Sequence, residues 1–142
     1  MGSVLALPRM DSAELNIHNG DRVVTDLTAE VARFCVARGD GLVNVFAPHA
    51  TAGLAIIETG AGSDLDLAAT LEALLPRDDR YTHRHGSRGH GRDHVLPAFI
   101  SPSMTLPVLD GEPALGTWQS IVLVDTNGDN PHRTVRLSFL PG

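Results

Sequence analysis

From Met104 onward the sequence alternates strand-length apolar runs with turn signals, and no other feature restricts its folding as much. Met104–Val108 is followed by Asp110-Gly111, then by Ala114–Gln119 and Ser120–Asp125, then by Asn127-Gly128-Asp129 and a last run, Thr134–Phe139. Period-two runs separated by Asp-Gly or Asn-Gly are the local signature of hairpins, so this half reads as an antiparallel meander. Three earlier segments supply further strands: residues 14–24, broken at Asn19-Gly20; Gly41–Phe46, which ends at Pro48-His49; and Gly53–Ile57, which ends at Glu58.

Two segments carry helical spacing. From an N-cap at Thr25 or Asp26, a helix is expected to reach Arg38, with Gly39 in the left-handed position beyond it. Its apolar stripe is Leu27, Val31, Phe34 and Cys35, at i, i+4, i+7 and i+8. After the turn at 59–62, Ser63 followed by Asp66 is a capping signature for a second helix. That helix shows Leu67, Leu71, Leu74 and Leu75 on one side and stops at Pro76. The expected class is therefore α+β, with antiparallel, sandwich-like sheets and two main helices, built as one domain over residues 1–142. Residues 1–13 are weakly patterned and are expected to begin with a frayed end. Residues 77–93 have no period and read as a long loop; His94–Ile100 is short and ambiguous.

Composition then removes whole classes of function. All eleven basic residues are arginine, which excludes Schiff-base chemistry, a P-loop lysine and a lysine general base. A formal net charge of −6 argues against general nucleic-acid binding, which relies on a basic face to neutralise phosphates. A lone cysteine, Cys35, forms neither an internal disulfide nor a thiolate cage. No apolar run reaches the roughly 20 residues of a membrane span, no secretory signal opens the chain, and Ala6 breaks the myristoylation pattern that Met1-Gly2-Ser3 suggests. The expected location is cytoplasmic.

What remains is histidine chemistry. Four of the seven histidines, His83, His85, His90 and His94, fall within twelve residues. His90 and His94 share a face if their stretch is helical, and His83 and His85 share one if theirs is extended. Neutral imidazole is the commonest metal ligand, although a short His-rich tract is by itself only a compositional signal. Five arginines, 77, 80, 84, 88 and 92, lie in the same stretch. They either keep a loop wet or bind an anion, and charge runs more often do the former. His49 ends a strand. Glu58 follows five apolar or small residues, an odd place for an unpaired carboxylate. Asp66 has an ordinary role near a helix N-terminus. Trp118, the sole tryptophan, is expected in the core.

In order along the chain, His49-Ala50-Thr51-Ala52, Glu58, Asp66, Tyr81-Thr82-His83, His94 and Leu115-Gly116-Thr117-Trp118-Gln119 resemble the motifs of the YjbQ-like family, also known as the secondary thiamine-phosphate synthase family. The resemblance covers the chain from about Gly41 to the C-terminus, with a weaker match before it. It departs at Ile57, where the family usually has asparagine, and at His90, which falls near an acidic or amide position. The resemblance implies a compact α+β fold assembled as a homotrimer. It also implies a reaction joining an aminopyrimidine pyrophosphate to a thiazole phosphate with loss of pyrophosphate.

By the same resemblance His49, His83 and His94 are the expected metal ligands, coming from separate segments that a fold can fix. Glu58, Asp66, Thr51, Trp118 and Gln119 are the expected catalytic residues. Arg84, Arg88 and Arg92 are expected to hold a small phosphorylated substrate, since a guanidinium fork suits phosphate oxygens; His85 and His90 are expected to be solvated or to support the ligands. Clustered imidazoles select a transition metal such as zinc, whereas pyrophosphate departure usually employs magnesium with oxygen ligands. A zinc-dependent hydrolase and a non-enzymatic metal- or ligand-binding trimer therefore stand beside the synthase reading.

Overall fold

The computed structural model describes Gly2 and residues 10–142; the expectation of a frayed start falls mainly on residues outside this set. Eleven elements follow in order: β1 (Asp11–His18), β2 (Val24–Asp26), α1 (Thr28–Cys35), β3 (Gly41–Phe46), β4 (Ala52–Ile57), α2 (Ser63–Leu74), α3 (Gly91–Phe99), β5 (Ser103–Leu109), β6 (Glu112–Pro113), β7 (Ser120–Asp125) and β8 (His132–Pro141). A five-stranded sheet has the order β1-β8-β3-β5-β6 and a three-stranded sheet the order β2-β7-β4. Every strand pair is antiparallel. The α+β class and the antiparallel sheets are as the hairpin pattern implies.

The sheets face each other across Val43, Val45, Val135, Leu137 and Phe139 on one side and Leu54, Ile121 and Leu123 on the other; α1 adds Val31 and Cys35, and Leu27 just before it joins them. The opposite face of the smaller sheet presents Val122 and Val124 to Leu71 and Leu75 of the α2 region and Leu96 of α3. β7 is thus buried on both faces, which is why Ile121–Val124 is continuously apolar instead of alternating.

Among the described residues three helices form where two were expected. Residues 91–99 have no long apolar stripe, but Leu96 is fully buried in the second core, and that packing selects a helix where propensity is weak. Gly53 lets α3 approach, because a Cβ there would lie 2.0 Å from the Ile100 carbonyl oxygen.

Other boundaries shift. α1 ends at Cys35, three residues before the expected Arg38, and Ala37 takes the left-handed conformation ahead of Gly39. Asp26 still serves the start of α1, accepting from the Thr28 amide at 2.9 Å. At α2 the cap is left-handed Gly62 without a side-chain bond, so the Ser63–Asp66 capping pattern is not used. The expected strand 114–119 does not form; the short β6 lies just before it, and residues 114–119 are irregular with a turn at 117–118. Gly116 donates its amide to Gln119 Oε1 at 2.7 Å, and the Gln119 amide donates back to Gly116 O at 3.1 Å. Trp118 lies on this turn and is 72% exposed, not in the core. Among the described residues no helix is long and apolar enough to cross a membrane.

Candidate metal centre

Residues 77–90 form the irregular segment between α2 and α3, and several bonds fix its path. The Tyr81 hydroxyl donates to Pro76 O at 2.8 Å. Ser87 donates its amide and its hydroxyl to Asp129 Oδ2, each at 3.1 Å. Gly91 allows the segment to press on the start of α3, since a Cβ there would meet Tyr81 Cβ at 2.4 Å and His83 O at 2.7 Å.

The result is a cluster of four imidazoles. Ring centroids of His83 and His85 are 3.9 Å apart, those of His83 and His94 4.0 Å, and those of His90 and His94 4.8 Å. One ligand nitrogen each from His83, His90 and His94 lies within 4.8 Å of the others. His94 Nε2 and His90 Nε2 are 3.1 Å apart. His83 Nε2 is buried without a hydrogen-bond partner; in a protein interior such a nitrogen is costly unless something outside the chain satisfies it. His90 caps α3, so the i, i+4 relation to His94 is realised on a helix.

Behind the cluster stands Asp93, fully buried. Its Oδ2 lies 3.2 Å from His90 Nδ1, and its Oδ1 accepts from Thr126 Oγ1 at 2.6 Å. Arg77 and Arg92 each approach Oδ1 to 3.6 Å and balance its charge. A carboxylate on one nitrogen of a histidine fixes the tautomer and turns the other nitrogen to the ligand side. Burial first, then the neighbouring imidazoles, hold His83 and His94 below the ordinary histidine pKa, so both rings stay neutral and able to ligate.

His49 does not join this cluster within the chain. Its Nε2 lies 3.0 Å from both the amide nitrogen and the carbonyl oxygen of Thr134, accepting from one or donating to the other by tautomer. Burial and then Arg133 lower its pKa. Thr51 is also engaged elsewhere. Its buried hydroxyl accepts from Arg133 Nη2 at 2.8 Å and Asn127 Nδ2 at 3.2 Å. Arg133 in turn grips Asp125 through Nε at 2.5 Å and Nη2 at 3.0 Å. Glu58 and Asp66 are exposed, so Glu58 needs no buried partner.

The arginines divide. Arg84 and Arg88 line a cavity of about 270 Å³ that His83 and His90 also wall, together with Asp78, Asp79, Tyr81 and Ser87. Arg92 faces a separate hollow of about 260 Å³ with Arg77 and Asn127, and its Nη1 is tied to Glu72 at 2.8 Å. Sequence reasoning placed His90 outside the ligand set and missed Asp93. The available signal was the helical run His90-x-x-Asp93-His94, which puts all three side chains on one side of a turn.

Antiparallel sheets covered on one face by helices, with a histidine donor cluster at the start of α3, define an α+β protein with a metal-capable centre. The family model described as "UPF0047 protein YjbQ-like" matches residues 13–142, and the chain belongs to that family. It is 65% identical over 133 residues to UPF0047 protein Rv2556c of Mycobacterium tuberculosis, covering 94% of this chain and all of the relative. A UPF0047 protein of Archaeoglobus fulgidus is 36% identical over 124 residues, covering 86% and 96%. Among solved structures, hypothetical protein APE1520 of Aeropyrum pernix superposes with a TM-score of 0.84 at 27% identity, covering 93% of this chain and 99% of that one. A YbjQ-like protein of unknown function from Sulfolobus solfataricus gives 0.86 at 20% identity, covering 94% and 99%, and shares the fold.

Proposed function

We propose that this chain is a three-histidine metal protein that acts on a small phosphorylated substrate, and that its reaction is metal-assisted hydrolysis of a phosphate ester. The observation that carries the proposal is the convergence of donor nitrogens from His83, His90 and His94, backed by a buried carboxylate on His90. Three imidazoles leave a fourth tetrahedral position open, the arrangement of catalytic zinc sites. An ion of that kind supplies positive charge to a phosphoryl oxygen and makes a bound water more acidic.

The remaining work falls to the chain's own groups. Arg84 and Arg88 bring guanidinium forks to the adjoining cavity, where they would grip phosphate oxygens in pairs. Asp93 holds the His90 ring in place. His85, exposed beside His83, would take up a proton during attack by water.

The synthase chemistry implied by the family resemblance is the second reading, favoured by the two arginines beside the cluster, which suit a pyrophosphate leaving group. Both readings place the substrate in the same cavity. Homotrimeric assembly is also proposed, supported by exposed Leu42 and Leu140, which are paired across β3 and β8 and form an apolar patch of the kind a subunit interface covers.

Elemental analysis of protein purified without a histidine tag tests the metal, and light scattering tests the trimer. Zinc-loaded protein is then offered simple phosphate esters, or aminopyrimidine pyrophosphate with thiazole phosphate. Ester cleavage that is lost in His94→Ala supports the first reading; thiamine phosphate formed without ester cleavage transfers the site to the second. Protein that takes up no transition metal overturns the first reading.

A further inference from the structure

The remaining histidines form a second pair, far along the sequence from the cluster. His18 ends β1, His132 begins β8, and the two are directly opposite in register. The Asn19 amide donates to Pro131 O at 3.0 Å, just outside them. That bond makes His18 and His132 a non-hydrogen-bonded antiparallel pair, the type in which opposing side chains come closest. Both rings are exposed. Their Nδ1 atoms are 3.2 Å apart, with ring centroids at 4.5 Å and planes inclined by 51°.

We propose that His18 and His132 are a bidentate chelate for a divalent transition-metal ion of the nickel, copper or zinc type. Two nitrogens bound at about 2.0–2.1 Å to one ion stand about 2.9 Å apart at a right angle and about 3.3 Å apart at the tetrahedral angle. The observed separation falls between these values, so an ion can enter without moving the strands. Both donors are imidazole nitrogens, which favour copper and nickel over harder ions. In the metal-free pair one Nδ1 carries a proton and donates it to the other. On binding, that ring shifts its proton to Nε2 through water, so no proton is lost from the pair.

The site also has a structural consequence. Among the described residues β1 is the edge strand of its sheet and pairs with β8 alone. An ion held between His18 and His132 clasps the end of that edge. The next residue, Asn19, is buried and donates to Asp125 Oδ2 at 2.7 Å, so the clasp secures the strand end that supports the buried Asp125–Arg133 pair.

The test counts nickel bound at equilibrium to tag-free full-length protein near neutral pH, comparing wild type, His18→Ala, His132→Ala and the cluster variant His83→Ala/His94→Ala. The cluster variant should retain one nickel ion per chain, and adding His18→Ala should weaken that binding on the order of 100-fold, the loss expected when a two-point attachment becomes one-point. Should the cluster variant fail to fold, the intact protein decides. Saturating nickel should then bind with one fewer ion per chain in His18→Ala and His132→Ala than in wild type, and should raise the Tm of wild type further. Nickel stoichiometry and Tm response unchanged by either substitution would overturn the proposal, whatever the outcome at the cluster.

Discussion

Asp93 Oδ2 lies 3.2 Å from His90 Nδ1, within one turn of α3, and the carboxylate is shut off from solvent. The pair points His90 Nε2 toward His94 Nε2, 3.1 Å away. The guanidinium groups of Arg77 and Arg92 stand 3.6 Å from the other carboxylate oxygen of Asp93, and a carboxylate on one ring nitrogen makes a histidine a better ligand than a free imidazole.

Replacing that carboxylate should therefore lower metal affinity without removing a ligand. Asp93→Asn keeps the shape, and an outer carboxylate on a ligating histidine is typically worth about 10–100-fold in affinity. Zinc titration against a competing chelator measures it. Affinity equal to wild type would show that Asp93 serves the fold alone.

The pH dependence of stability follows from three depressed histidines. His49, His83 and His94 are each held below the ordinary value, chiefly by burial; Arg133 adds to it at His49 and neighbouring imidazoles at the other two. The unfolded chain takes up protons at roughly pH 6.5, whereas the folded chain resists until lower pH. The contribution is thus complete above that pH and is lost as the pH falls toward the depressed folded-state values. The Tm of metal-free protein should drop between about pH 7.5 and about pH 5. A Tm that is flat or rises over that interval would contradict the burial of these rings.

Thr51 separates a structural role from a catalytic one. Its hydroxyl accepts from Arg133 and Asn127 inside the buried network, and Thr51→Val leaves both donors short of an acceptor. The expected cost is about 1–3 kcal/mol of stability, read from denaturant unfolding, with zinc affinity unchanged. Lost activity at unchanged stability would support the catalytic assignment drawn from the family motif.

Much of the fold was legible because hairpin turns and alternating strands are local signals. Asn19-Gly20 and Asp110-Gly111 both turn the chain where the sequence places turns. α3 was not legible, since a segment containing Gly91 and Pro97 becomes helical only when Leu96 has Val122 and Val124 to pack on. For the site, His83 and His94 were visible as motif positions, and their partner was hidden by the same missing helix. His90 reads as a loop residue until α3 exists, and then it stands one turn from His94. His49 illustrates the converse: a motif position whose nitrogen the fold assigns to the Thr134 backbone, a contact 85 residues away in sequence.

Gly91 offers the most direct test of how the loop and helix build the proposed metal centre. On helix propensity alone Gly91→Ala should stabilise α3, by up to about 1 kcal/mol in a helix interior. The structure reverses that sign, because the new Cβ would fall 2.4 Å from Tyr81 Cβ and 2.7 Å from His83 O. Backbone cannot yield as a flexible side-chain tip can, so residues 81–83 must move away from α3. Overpacking of this kind costs about 1–3 kcal/mol, and here the displaced segment carries the proposed ligand His83. Gly91→Ala should lower both Tm and zinc affinity, the latter through His83 alone. Gly128→Ala is the control: a Cβ there meets nothing within 4 Å, so it should change neither quantity. Zinc affinity that survives Gly91→Ala while Tm falls would detach His83 from the ligand set and leave His90 and His94 as the donors on α3.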